Sequence, residues 1–136
     1  MKLAKLVNAS EKTRKINARF VKIVGYKAGR DKDGLPTATA KTYTPREYKS
    51  GRVVESHDKN RYVSSIKFLD KKLNVKVSCS CPDYCFRWEY ANHRQGASDI
   101  IYGNGEPPVE TNPNLHLGLC KHILALRALV KQKHGV

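Results

Sequence analysis

Acidic side chains are scarce in this chain of 136 residues: 12 Asp and Glu stand against 26 Lys and Arg, leaving a formal charge of +14. A field of that sign favours polyanions or acidic protein faces and speeds encounter with them. Long apolar runs are missing as well. Nothing approaches the ~20 consecutive apolar residues that cross a bilayer. The opening MKLAKLVNASEKTRK has no uninterrupted apolar stretch, so a secretory signal is not expected. Cysteines number only 4, which excludes a disulfide-dense toxin, and the length is that of one domain with an arm, which excludes a multidomain enzyme. Familiar catalytic signatures are also absent: there is no phosphate-binding loop, no GxSxG and no HExxH. Cys85 and His93 come nearest to a nucleophile and its base, but on one helix they lie about 12 Å apart along the axis. Catalytic activity is therefore not expected, nor a small-molecule substrate. No internal repeat or low-complexity tract is present.

The positive charge is uneven. Residues 1–61 carry 16 Lys or Arg and 6 Asp or Glu, so the surplus lies mainly in the N-terminal half. Residues 1–15 read as a basic arm with one helical turn around Leu3, Leu6 and Val7. Residues 16–61 read as a β and loop extension: a strand over 17–26 with Phe20, Ile23 and Val24, a turn at Gly29–Gly34, irregular extended chain over 35–50, and a strand at Gly51–Glu55 joining the main sheet. The clearest pair follows. Tyr62–Leu69 and Leu73–Ser78 alternate apolar and polar residues around a turn at Asp70–Lys72, which predicts a β-hairpin ending at Cys79.

Pro82 is placed to open a helix running to about Gln95, with Gly96 as its stop. Tyr84 and Trp88, and Phe86 and Tyr90, are spaced to give that helix an aromatic flank. Ile100–Tyr102 suggest a short strand. The last helix spans 122–133, with Ile123, Leu126 and Val130 as its apolar stripe and Gly135 at the C-cap. The fold class is thus α+β: a hairpin plus a helix, with a long helical and turn insert at 86–119 and the β-rich N-terminal extension. Residues 62–136 form the principal module.

All four cysteines lie in that module, as Cys79-Ser-Cys81-Pro-Asp-Tyr-Cys85 and Cys120-Lys-His122. Zinc takes four ligands at tetrahedral angles, ~2.0–2.3 Å away. A sharp turn at a strand end can supply two thiolates. A helix N-terminus can supply two more ligands, and its dipole favours thiolate. Cys79-x-Cys81 with Cys120-x-His122 meets both requirements. Cys85, His93 and His116 stay open as replacements for any of the four, with Cys85 favoured as a buried apolar thiol. An iron–sulfur cluster and a pair of disulfides are rival uses of the cysteines; the spacing lacks the dense CxxC steps of the first, and closely spaced Cys-x-Cys disfavours the second.

These residues resemble the SWIM zinc-finger family, defined by CxC … CxH on a ββα frame. The resemblance runs from about residue 62 to 133 and implies Zn²⁺ held by Cys79, Cys81, Cys120 and His122. The 38 residues between Cys81 and Cys120 exceed the usual SWIM gap. The longer string CSCPDY…RWEY…QGAS…NGEPP…TNP…CKH is similar to small SWIM-type proteins encoded by tailed bacteriophages. That likeness implies a virion component of the neck, tail or baseplate, docked onto other virion subunits and found in the virion or host cytoplasm. Trp88, Tyr90 and Tyr102 are candidate interface anchors, with Trp88 better suited to the core. The alternative implied by the family is a nucleic-acid-binding module. Arg14, Lys15, Arg19, Lys71, Lys72 and Lys76 are then the cations placed to meet phosphates or an acidic partner.

Overall fold

The structure is a computed structural model describing Met1–Val136 throughout. It is mixed α+β. In chain order the elements are α1 (Leu3–Ala9), α2 (Lys12–Ala18), β1 (Lys22–Arg30), β2 (Pro36–Tyr43), β3 (Arg46–Lys49), β4 (Arg52–Glu55), β5 (Tyr62–Phe68), β6 (Val75–Cys79), a π-helical turn (Tyr84–Trp88), α3 (Glu89–Arg94) and α4 (Lys121–His134). Strands β1-β2-β5-β6 form one antiparallel sheet, and β3 and β4 form a separate hairpin. No helix is long and apolar enough to cross a membrane.

The predicted hairpin is β5–β6, with Ile66 opposite Val77 and Ser64 opposite Cys79. Its inward residues Ile66, Val75 and Val77 are buried, because a period of two sends alternate side chains to the core. α4 lies across β5, β2 and β6 and buries Ile123, Leu126 and Val130 against them. Each such aliphatic side chain contributes about 1.5–3 kcal/mol. Pro82 opens the helical segment, and the chain leaves it at Gly96; Gly135 follows α4, as the sequence predicts.

The N-terminal half departs from expectation. Residues 1–15 are no free arm: they contribute α1 and the start of α2, with Leu3 and Leu6 buried in the core. Backbone bonds Leu3 N–H to Leu73 O (3.0 Å) and Val75 N–H to Met1 O (2.9 Å) stitch the terminus beside β6. The strand expected over 17–26 begins only at Lys22 and runs on to Arg30, since α2 takes residues up to Ala18. A bulge between Val24 and Lys27 bends it, and Gly25 supplies the left-handed backbone (φ 61°) that the bulge requires. Residues 36–43 are regular, not irregular: β2 is a central strand whose core face carries only Ala38, Ala40 and Thr42. The strand predicted near 51–55 exists as β4 but pairs with β3, outside the main sheet. Ile100–Tyr102 form no strand.

Candidate metal centre

β6 ends at Cys79 on the core face of the sheet. The next residue prolongs the pairing: Ser80 N–H donates to Val63 O at 3.0 Å, and Val63 N–H to Ser80 Oγ at 2.9 Å. Two residues beyond Cys79, Cys81 returns to the same face. From the other side, extended backbone at Cys120 caps α4, and His122 sits in the first helical turn. One ligand atom from each of Cys79, Cys81, Cys120 and His122 lies within 4.8 Å of the other three, and all four residues are buried. The group can hold a metal ion.

Supporting contacts orient the donors. Ser64 Oγ–H points to Cys79 Sγ at 3.4 Å, and Tyr84 N–H to Cys81 Sγ at 3.4 Å. His122 Nε2 lies 3.3 Å from Thr44 Oγ1, whereas Nδ1 is buried with no hydrogen-bond partner. Tyr62 packs against the imidazole with ring centroids 5.3 Å apart. Burial opposes ionisation of Cys79, but hydrogen bonds from Cys120 and Cys81 and the nearby His122 outweigh it and hold this thiol well below its usual value. Burial and hydrogen bonding to its neighbours push Cys120 well above. Cys81 accepts a hydrogen bond from Cys120, yet its contact with Cys79 and its burial raise it overall. A cation held among the three sulfurs would favour the thiolate form of each.

The other candidate ligands fall outside the group. Cys85 is half-buried, its thiol donating to Cys79 O at 3.6 Å, and burial and the Glu89 charge push it up to about 11. His93 Nδ1 bonds Ser98 O at 2.9 Å, and His116 is exposed. All four cysteines are free.

The six predicted contact cations are not one patch. Arg14 chelates Asp83 (2.8 and 3.2 Å) and meets Glu11 (2.6 Å), and Lys76 bonds Asp99 (2.9 Å). Arg14 borders a cleft shared with Cys120, Lys121 and His122, whereas Lys71 borders one shared with Val130 and His134. Those ends of α4 are ~20 Å apart. Lys15, Arg19, Lys71 and Lys72 are exposed. Trp88 is buried, with Arg14 and Arg87 over its ring, so it is core; Tyr102 is exposed.

The insert is tied back by polar side chains that carry no sequence periodicity. Buried Glu89 accepts N–H bonds from Ile101 (3.3 Å), Tyr102 (3.2 Å) and Gly103 (2.9 Å). Gly103 must lack a side chain, because a Cβ there would stand 2.5 Å from Glu89 Oε1. Asn92 donates to Gly118 O (2.9 Å), and Asn112 to Arg87 O (2.9 Å) and His116 O (2.8 Å). Ser10 Oγ accepts from Leu119 N–H (3.0 Å), setting the approach to Cys120. Glu89, Asn92, Asn112, Thr44, Ser64 and Ser10 were not signalled by any motif. Comparison with protein-family models, with curated proteins and with solved structures finds no match to this chain.

Proposed function

We propose that the protein is a non-catalytic, zinc-stabilised structural adaptor of SWIM type, a tailed-phage virion component that docks onto other virion subunits. The donor set carries this reading: three thiols and one imidazole, all buried, converging within 4.8 Å. A tetrahedral zinc with bonds of ~2.0–2.3 Å needs ligands roughly 3.3–3.8 Å apart, so small inward shifts close the group on one ion. His122 supports the fit, since its unpartnered Nδ1 is available to the metal while Nε2 can carry the proton toward Thr44. Four protein ligands leave no coordination position for a substrate, which favours a structural metal over a catalytic one. The hairpin end and helix start that supply the donors agree with a ββα SWIM frame.

The docking part rests on the insert. Phe86, Ile101, Tyr102 and Val109 are 64, 55, 45 and 73% exposed, and all belong to the stretch between the two ligand pairs. Large apolar side chains left in water on one segment favour a protein partner there. The phage part rests on the resemblance carried by Cys79–Tyr84, Arg87–Tyr90, Gln95–Ser98, Asn104–Pro108, Thr111–Pro113 and Cys120–His122. Mass spectrometry of purified particles from the source phage tests it: the adaptor reading expects this chain at fixed copy number after high-salt washing. Its absence from washed particles contradicts that reading and leaves the metal assignment standing.

A further inference from the structure

The four-stranded sheet has two faces, and α4 covers one of them, lying across β2, β5 and β6 over buried Ala38, Ala40, Ile66 and Val77. Directly paired residues share a face, so the register assigns the other face residue by residue. Lys22, Lys27, Lys41, Lys67 and Lys76 all fall on it: Lys22 pairs with Tyr43, Lys27 with Thr39, Lys41 with Val24 and Val63, and Lys67 with Lys76. Thr39 opposite Ser65 places two half-buried hydroxyls among the lysines, whereas Ser78, opposite Ser65 on β6, is buried. None of the four strands contains Asp or Glu. The ion pairs on this face come from flanking loops, where Asp31 takes Lys67 (3.4 Å) and Asp99 takes Lys76 (2.9 Å). Lys22, Lys27 and Lys41 are exposed and have no acidic partner.

We propose that this open, lysine- and hydroxyl-bearing sheet face binds the phosphate backbone of double-stranded nucleic acid without reading its bases. Phosphate contacts are made by Lys, Ser, Thr and Tyr side chains of this kind. A protein partner fits poorly, because the centres of protein–protein interfaces are depleted in Lys and Ser and enriched in aromatics, Met and Arg. A single strand fits poorly too, because bases stack on aromatic platforms. The one aromatic side chain facing out from these four strands is Tyr43, and Arg61 already lies over its ring at 5.4 Å. The surface goes beyond the adaptor reading and is independent of the metal, whose donors sit on the covered side.

Fluorescence anisotropy with a mixed-sequence DNA duplex of about 20 bp, from ~50 to 200 mM salt, tests the proposal. Wild type should bind at low salt, with log K falling linearly against log salt. Lys22→Gln/Lys27→Gln/Lys41→Gln should weaken binding about tenfold or more and flatten the slope by roughly 2–3. The control Lys5→Gln/Lys12→Gln/Lys131→Gln removes the same charge from exposed helix positions off this face and should stay within about twofold. Single Lys41→Gln should shift affinity in the same direction by a few-fold, with circular dichroism unchanged. Equal weakening by the control, no duplex binding at low salt, or tighter binding of the single strand would each overturn the proposal.

Discussion

Removing the Glu89 carboxylate would strand three backbone N–H groups, those of Ile101, Tyr102 and Gly103, with no acceptor. These bonds are part-buried and charge-assisted, a class that contributes ~1.5–3 kcal/mol each at most where water can replace the acceptor, so Glu89→Ala should lose about 2–3 kcal/mol in urea unfolding. Gly103→Ala should lose a comparable amount, since its new methyl would collide with the same carboxylate. Losses under ~1 kcal/mol in both would show that this insert tie bears little weight. Thr44 is the residue-scale test of the metal site. If His122 binds through Nδ1, the hydroxyl 3.3 Å from Nε2 fixes the ring and its tautomer. Thr44→Val should then weaken metal binding about tenfold or more in competition with a chelating dye. Unchanged affinity would remove the hydroxyl from the account.

Elements here are joined by ion pairs whose strength depends on pH and salt. Lys76 on β6 holds Asp99 in the insert, and that hydrogen bond keeps the Asp99 carboxyl below its ordinary 3.8. A depressed carboxyl stabilises the fold fully above its unfolded value, and the contribution disappears as pH falls through the lower folded value. Asp99→Asn should therefore cost a little stability at neutral pH and flatten the loss of stability on acidification below about pH 4; an acid-titration curve identical to wild type would contradict the pairing. At the same scale, the sequence exposed some elements and hid others for physical reasons. The β5–β6 hairpin was legible because Ile66, Val75 and Val77 alternate with polar neighbours. Pro82, Gly96 and Gly135 marked helix ends by their own backbone chemistry. β2 was not legible, because a central strand under a close-packed helix uses small residues, Ala38, Ala40 and Thr42, in place of an apolar alternation. The sequence reads α1 as part of an arm because Leu3, Leu6 and Val7 alone mark it, and the burial of Leu3 and Leu6 depends on packing partners such as β6 and α4 far along the chain.

For the molecule as a whole, three of the four candidate ligands are also core residues: Cys79, Cys81 and Cys120 belong to the same buried cluster as Leu6, Ile66 and Ile123. The metal group was legible because Cys and His are few and their spacing is local. Its polar supports were not, because Thr44 and Ser64 reach it only through the folded sheet. A chain of this size buries a modest core, and a metal bound at this group would clasp the sheet to α4 and carry much of the fold. Chelation at neutral pH should lower the unfolding midpoint by ten degrees or more on the order expected for a structural zinc site, with recovery on adding Zn²⁺. A midpoint unmoved by chelation, with the metal verified as removed, would mean that the core stands without it.

The central claim is that Cys79, Cys81, Cys120 and His122 bind one zinc and that Cys85 does not. Elemental analysis of the purified chain and of five single alanine variants addresses it directly. The account predicts one zinc per chain in wild type and in Cys85→Ala, and a marked loss from Cys79→Ala, Cys81→Ala, Cys120→Ala and His122→Ala. Zinc lost from Cys85→Ala, or retained in full by any of the other four, would contradict it.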